Sequence, residues 1–205
     1  MSLRVVVGCG AVLFRWRPAV LLQQHLAPRS LAELQAAQRE VLQGYGGDWG
    51  EFDLGAIDEA ELARRIAARS RWPEAGLRAL IAAVPDELRA QPAVLTLLLQ
   101  LRQRGQPLSF LSNMPRAYAD QLERRNPLAQ WFDSGLFSGR VGLSKPDPAL
   151  FALAAEHFAT RPADCLLVDD HPANIKAALA CGWQAELFVD APRLRLALQR
   201  RGLLA

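Results

Sequence analysis

The stretch LLVDDHPANIKAALACGW at residues 166–183 predicts a buried strand, a polar turn and a helix that ends at a glycine. Two adjacent aspartates, Asp169 and Asp170, come directly after the apolar run. In open sheets of parallel strands, ligands bind at the carboxyl ends of the strands, where the chain turns into helices. We therefore expect this pair of carboxylates to lie at a ligand-binding edge of a parallel sheet.

Strands and helices alternate along the chain after Pro92, and a short apolar strand, RVVV at residues 4–7, lies near the start. Alternation of this length predicts parallel βαβ units, and so an α/β fold with a Rossmann-like parallel sheet. Helices are expected at 93–105, 119–125, 148–159 and 174–182, strands at 107–113, 164–170 and 184–189, and a short strand or loop at 136–142.

The segment at residues 15–90 shows helical periodicity and no strand pattern. Helix starts are indicated by proline in a first turn and by Ser or Asp followed three residues later by Glu. We therefore expect an inserted bundle of about four helices, with a core domain made of 1–14 and 91–205. The starting signals are Pro18, Ser30 with Glu33, Asp58 with Glu61, and Pro73.

Composition limits the classes of function. The chain has 205 residues, of which 51% are hydrophobic and 22% charged, as in an ordinary globular protein. No apolar run is long enough for a membrane span, no signal peptide is recognised, and three cysteines lack metal-ligand spacing, so we expect a cytoplasmic protein. The net charge is +3, but the basic residues are spread over helical patterns, so we expect neither a nucleic-acid nor a membrane partner.

Three further segments follow predicted strands, namely Gly8–Cys9–Gly10, Ser112–Asn113 and Lys145–Pro146–Asp147. A phosphoryl group needs donors and cations aimed at its oxygens. The hydroxyl of Ser112, the amide of Asn113 and the charge of Lys145 would supply them, and the two aspartates suit Mg²⁺. Lys145 is one of only two lysines among 24 basic residues, which makes its position informative.

The segments LSNMP at 111–115, LSKPDPALF at 143–151 and the opening stretch at 166–183 resemble haloacid-dehalogenase (HAD) superfamily phosphatases in type, order and spacing. The resemblance covers essentially the whole chain. It implies an Asp nucleophile after the first strand, a Ser or Thr after the second, then a Lys and a carboxylate pair. On that pattern Ser112, Asn113 and Lys145 bind phosphate, and Mg²⁺ is held by Asp169, Asp170 and the backbone carbonyl of Gly10.

The helical segment resembles the C1 cap of this superfamily, which closes over the pocket and selects the substrate. Within it, WGEFDLGAIDEAEL at 49–62 is similar to the cap of a subgroup that contains sugar-phosphate phosphatases and the N-terminal domain of soluble epoxide hydrolases. Trp49 and Phe52 are therefore candidates for the substrate side of the cap. Packing among the helices is an equally open interpretation of both residues.

The first motif departs from the family. In VVVGCGAVLF, residues 5–14, alignment on Gly10 places Gly8 at the nucleophile, and the first acidic residue of the chain is Glu33. Glycine offers no nucleophile, which closes the phospho-aspartyl route. The Mg²⁺ site also loses one oxygen ligand, so Mg²⁺ is expected to bind weakly or not at all. Because Val7, Cys9 and Ala11 depart from the pattern as well, we interpret Gly8 as natural divergence.

Three hypotheses about function follow. The chain is a non-catalytic member that binds phosphate or a small phosphorylated metabolite, a hydrolase in which metal-bound water replaces the nucleophile, or a scaffold with a relic pocket. The sequence offers no obvious base for the second, and it leaves the oligomeric state open. Structural roles also remain open: Ser112 or Asp170 as a helix cap, Lys145 as a surface lysine, and Asn174 and His171 as loop residues.

Overall fold

The fold is built on a five-stranded parallel sheet in a computed structural model that describes residues 3–205. The strands are β1 (Arg4–Val7), β2 (Leu108–Ser112), β3 (Ser134–Phe137), β4 (Cys165–Asp169) and β5 (Gln184–Leu187). Their order in the sheet is β3-β2-β1-β4-β5. The expected α/β class with a Rossmann-like parallel sheet is confirmed. The expected core domain starts at residue 1, and its first two residues lie outside the described part of the chain.

Both faces of the sheet are buried, as a parallel sheet requires. Val5 and Val7 of β1 pack into one hydrophobic cluster, and Val6 packs into the cluster on the opposite face. The same alternation continues in β4, where Leu166 and Val168 share the face of Val5. This period of two fixes which residues point into each layer.

Twelve helices surround the sheet in the described chain. Those after residue 90 cover its two faces. They are α6 (Pro92–Gln103), α7 (Arg116–Arg125), α8 (Leu128–Trp131), α9 (Ser138–Val141), α10 (Pro148–His157), α11 (Pro172–Ala180) and α12 (Ala191–Arg200). Those before it are α1 (Pro18–Leu26), α2 (Leu31–Leu42), α3 (Asp48–Asp53), α4 (Glu59–Arg69) and α5 (Glu74–Glu87).

The helical segment at residues 15–90 contains five helices, so the expected number of four is wrong. The extra one is α3, which has six residues and is too short to produce a periodic pattern. The start signals act as expected, because the Ser30 side chain accepts the Glu33 N–H and the Asp58 side chain accepts the Glu61 N–H. These bonds satisfy donors that the first helical turn leaves unpaired.

The two chain crossings between the sheet and the helical segment are bonded to one another. The Arg15 N–H donates to the Arg89 carbonyl at 2.9 Å, and the Gln91 N–H donates to the Leu13 carbonyl at 2.8 Å. The buried carboxylate of Glu87 accepts hydrogen bonds from both Arg15 and Arg17. The base of the helical segment is therefore fixed beside the end of β1.

The chain at 136–142 is neither a continuous strand nor a loop, because β3 ends at Phe137 and the turn α9 follows. The buried Ser138 hydroxyl accepts the Met114 N–H at 2.8 Å and donates to the Asp53 carbonyl. Lys145 consequently lies in a loop after α9. The expectation that it follows a strand directly is wrong. Over residues 3–205, no helix is long and apolar enough to cross a membrane.

Candidate functional site

A cavity of about 440 Å³ opens at the carboxyl ends of β1, β2 and β4, and the helical segment forms its opposite wall. The sheet order reverses between β1 and β4, which is where α/β sheets bind ligands. Most of the residues singled out from the sequence meet here, while Gly8 and Phe52 lie behind the lining. The lining includes Gly10, Trp49, Ser112, Asn113, Lys145, Asp169 and Asp170.

A buried ion pair forms the floor of the cavity. The Lys145 ammonium lies 2.6 Å from Oδ2 of Asp169, and these side chains are only 4% and 1% exposed. The other oxygen, Oδ1, accepts the His171 N–H at 2.9 Å and Nδ2 of Asn174 at 2.8 Å. A carboxylate with three donors in a buried site is held in one orientation. Lys145 is therefore not a surface lysine.

The position of Lys145 is set from β2. Its ammonium donates to the Leu111 carbonyl at 2.7 Å, and the Asn113 side chain bonds both the carbonyl and the N–H of Lys145 at 2.8 Å. An ammonium has three donors, so one remains after the bonds to Leu111 and Asp169. Asn113 thus positions the lysine with its side chain, and its backbone amide is the part left for an anion.

Ser112 and Cys9 lie side by side at the ends of β2 and β1. The Ser112 hydroxyl makes only a marginal contact, at 3.5 Å, with the Asn113 carbonyl, so it can turn towards a ligand. Burial raises the pKa of the Cys9 thiol to about 12. Cys9 is therefore a neutral thiol at pH 7 and a poor nucleophile.

Gly8 follows β1 directly and lies beside the ion pair of Lys145 and Asp169. A Cβ atom placed on Gly8 would lie 3.2 Å from Oδ2 of Asp169 and 3.7 Å from Nζ of Lys145. The Gly8 N–H is bonded to the Val168 carbonyl at 2.9 Å, so its backbone continues the ladder between β1 and β4. A side chain at this position would project against the ion pair, and Asp169 would have to shift by a few tenths of an ångström to receive it.

Two polar residues of the helical segment were not singled out from the sequence. Asp53 ends α3 and lines the cavity, where burial raises the pKa of its carboxyl to about 7 and the charge of Lys145 partly offsets that rise. Tyr45 lines the cavity with its ring edge-on to His171 at 4.9 Å, and burial raises its pKa. Asp53 lies inside the segment 49–62, but nothing local shows that it faces the sheet.

Aromatic side chains form one side of the cavity. Trp49 lines it at 9% exposure, with its ring 6.3 Å from that of Trp16. Phe52 packs behind this wall, edge-on to Trp49 at 6.1 Å and to Tyr118 at 5.2 Å. Of the two candidates for the substrate side, Trp49 faces the cavity and Phe52 supports it.

The loop after β4 distinguishes structural from ligand-facing residues. His171 caps α11, because its Nδ1 accepts the Ala173 N–H at 3.2 Å, so Asp170 is not the cap. Asn174 holds the loop through its bond to Asp169. Ser112 does not cap a helix either, since α7 starts after Pro115.

The donors for a magnesium ion are incomplete. Over residues 3–205, no group of three or more His, Cys, Asp or Glu side chains could hold a metal ion. The carboxylate of Asp169 is already neutralised by Lys145 and accepts two N–H groups, which leaves Asp170 and the Gly10 carbonyl as uncommitted oxygen ligands. Mg²⁺ prefers an octahedral set anchored by carboxylates. The residues present do not fit a tight magnesium site.

The sheet order and the cavity at its switch point are those of an α/β protein of the HAD-like class, with a cavity between the sheet and the helical segment. The chain belongs to the haloacid dehalogenase-like hydrolase family, whose model matches residues 18–182. It is 28% identical over 155 residues to a flavin mononucleotide hydrolase of Arabidopsis thaliana, covering 76% of this chain and 62% of that protein. It is 25% identical to a sesquiterpene phosphatase of Aspergillus oryzae, covering 86% and 85%.

Solved structures show the same fold. A HAD family enzyme of Bacteroides thetaiotaomicron, in complex with magnesium and inorganic phosphate, superposes with a TM-score of 0.70 at 20% identity. The alignment covers 95% of this chain and 99% of that one. A variant of the enzyme with one aspartate replaced by alanine, solved with the same two ligands, superposes with a TM-score of 0.71 at 18% identity and the same coverage.

Proposed function

We propose that this protein is a non-catalytic member of the phosphatase-type hydrolases, and that it binds phosphate or a small phosphorylated metabolite in the cavity. One observation carries the proposal. Gly8 lies beside the ion pair of Lys145 and Asp169, where a side chain would begin 3.2 Å from the carboxylate. The anion-binding donors surround a position that has no nucleophile.

The remaining groups of the floor favour an anion. Lys145 balances the charge of Asp169 and keeps one donor, and Ser112 has a hydroxyl with only a marginal partner. A carboxylate at position 8 would add a negative charge next to the ligand, and glycine removes it. The related Bacteroides enzyme is compatible with this proposal, since its variant lacking one aspartate was solved with phosphate bound.

The helical segment at residues 15–90 acts, in this proposal, as a cap of the C1 type over a core of 1–14 and 91–205. The two chain crossings, which are hydrogen-bonded to one another at Leu13 and Gln91, form the base of this cap. Trp49 forms part of its ligand-facing wall. The curated relatives include enzymes named for different phosphate esters, so the shared element is the phosphoryl group. Magnesium would bind weakly at most, through Asp170 and the Gly10 carbonyl, because both oxygens of Asp169 already have partners.

A second candidate, a surviving hydrolase, is favoured by Asp53. Its carboxyl lines the cavity and has a pKa of about 7, which suits a general base at neutral pH. Water would attack phosphorus, its proton would pass to the Asp53 carboxylate, and the departing alkoxide would recover that proton as the ester bond breaks. This activity would rise with pH through about 7 and would be lost in Asp53→Asn.

Isothermal titration with inorganic phosphate tests the first proposal. Ser112→Ala should weaken binding about tenfold, the value of one hydrogen bond to a charged group. Ser109→Ala is the matched control, because Ser109 is a buried serine of the same strand whose hydroxyl bonds Arg4 and Ser134. Equal affinities for the two variants, or no phosphate binding by the folded wild type, would contradict the proposal and favour the relic scaffold.

A further inference from the structure

The wall opposite the floor has a different chemistry from the floor itself. The helical segment contributes Trp16, Leu42, Trp49, Val84 and Leu88 to the cavity, all apolar or aromatic. Its two polar side chains in the lining are those of Tyr45 and Asp53. The donors of the floor lie at the ends of β1, β2 and β4 and in the loop after α9, which carries Lys145. The cavity therefore has one end that suits an anion and one apolar end.

The cavity is larger than a phosphate bound on the floor requires. A cavity of about 440 Å³ lies in the range of about 300–1,000 Å³ that holds whole organic ligands. A phosphate on Ser112 and Lys145 would leave the space towards Trp49 and Val84 for the rest of the molecule. An apolar organic group in that space would contact apolar side chains and be removed from water.

Apolar walls of this kind discriminate against sugars. Each hydroxyl of a sugar needs a hydrogen-bond partner once it is buried, and burial without one is unfavourable. The segment offers only Tyr45 and Asp53 as partners, whereas a hydrocarbon or aromatic body needs none. The lining contributed by the helical segment therefore favours an apolar or aromatic group over a sugar.

We propose that the ligand is a phosphate monoester whose organic part is apolar or aromatic, with the phosphate on the floor and the apolar part against Trp16, Trp49, Val84 and Leu88. This inference rests on the proposed function, because it assumes that the floor binds phosphate. It adds the class of the organic part. The rigid aromatic pair of Trp16 and Trp49 provides a broad surface at little cost in side-chain freedom.

Titration with methyl, propyl, hexyl and phenyl phosphate, and with glucose 6-phosphate, tests the inference in the wild-type protein. The dissociation constant should fall about fourfold for each added methylene that becomes buried. Glucose 6-phosphate should bind no more tightly than methyl phosphate. Tryptophan emission is an independent readout, because Trp16 and Trp49 line the cavity.

A matched pair of variants locates the effect. Val84→Thr places a hydroxyl in the wall without changing the shape of the side chain. It should weaken the binding of hexyl phosphate at least about threefold and leave the affinity for methyl phosphate unchanged. Val94→Thr makes the same change in a buried valine of α6 outside the lining and should leave both affinities unchanged. Circular dichroism confirms that both variants fold.

The outcomes separate the two proposals. If the dissociation constant does not change from methyl to hexyl phosphate, or if glucose 6-phosphate binds more tightly than hexyl phosphate, the inference is overturned. Binding of inorganic phosphate would still support the proposed function in that case. Failure of inorganic phosphate and all the esters to bind overturns both. Equal effects of the changes at Val84 and Val94 also overturn the inference, since the wall would then not contact the ligand.

Discussion

Replacing Lys145 with methionine should destabilise the protein substantially, because the change leaves a buried carboxylate without its cation. Lys145 and Asp169 are 4% and 1% exposed, and their charged atoms are 2.6 Å apart. Removing one partner of such a buried pair costs about 3–5 kcal/mol. Asp169 would keep the N–H of His171 and the amide of Asn174, so we expect the lower end, about 3 kcal/mol.

Urea unfolding followed by circular dichroism measures this change. With an m-value of about 2.5 kcal/mol per M, a loss of about 3 kcal/mol moves the midpoint by about 1 M. Asp169→Asn in the same chain removes the uncompensated charge, so the double variant should recover about 1 kcal/mol or more relative to the sum of the single changes. A double-mutant cycle with no coupling would contradict the importance of the pair.

The matched control is Arg161→Met. Arg161 and Asp164 have the same separation of 2.6 Å, but the Arg161 side chain is 69% exposed. Exposed pairs contribute about 0.2–1 kcal/mol, since water screens them. The two pairs have the same separation of charged atoms and differ strongly in burial. If both variants shifted the midpoint equally, the reasoning from burial would be wrong.

Three further outcomes are expected. Glu87→Gln should lose about 2 kcal/mol of stability in urea unfolding, because the buried carboxylate bonds both Arg15 and Arg17, and a loss under about 0.5 kcal/mol would contradict this. Burial raises the pKa of Asp53 in the folded protein from its ordinary value of 3.8 to about 7, so its stabilising contribution is complete below about pH 4 and is lost as the pH rises through 7. The free energy of unfolding should therefore be about 2 kcal/mol lower at pH 8 than at pH 5, after allowance for partial exposure. Asp53→Asn should abolish this difference, and an unchanged pH dependence in that variant would refute the assignment to Asp53. Gly50→Ala should destabilise the protein by about 1–3 kcal/mol, since its Cβ would lie 2.0 Å from the Tyr45 carbonyl, whereas Gly46→Ala, with nothing within 4 Å, is the control.

The alternation of strands and helices was enough to predict the sheet, because RVVV and LLVDD contain short continuous apolar runs, which is the pattern of strands buried on both faces. The number of helices in the segment at 15–90 was not predictable, since α3 has only six residues and packs against α2, α4 and α9, which are distant parts of the chain or of the fold. The turn α9 was missed for the same reason. Ser138 stops the strand through bonds to Met114 and Asp53, which are distant in sequence.

The floor of the cavity was largely predictable and its walls were not. Ser112, Lys145 and Asp169 follow the ends of neighbouring strands or lie near them, and parallel strands bring those ends together. Asp53 and the apolar side chains reach the cavity only through the packing of the helical segment on the sheet. Local sequence carries little signal for that packing. Trp49 was a candidate for the wall, but Asp53 and the other apolar side chains became visible there only in the fold.

The central claim is that the missing carboxylate at position 8 accounts for a loss of catalysis. Its most direct test is hydrolysis of phenyl phosphate with Mg²⁺ by the wild type, Gly8→Asp and, as an uncharged control, Gly8→Asn. We predict no turnover above background for the wild type and Gly8→Asn, and Mg²⁺-dependent turnover for Gly8→Asp, whose new carboxylate would lie beside Asp169 and Lys145. Turnover by the wild type at a rate similar to that of Gly8→Asp would contradict the claim.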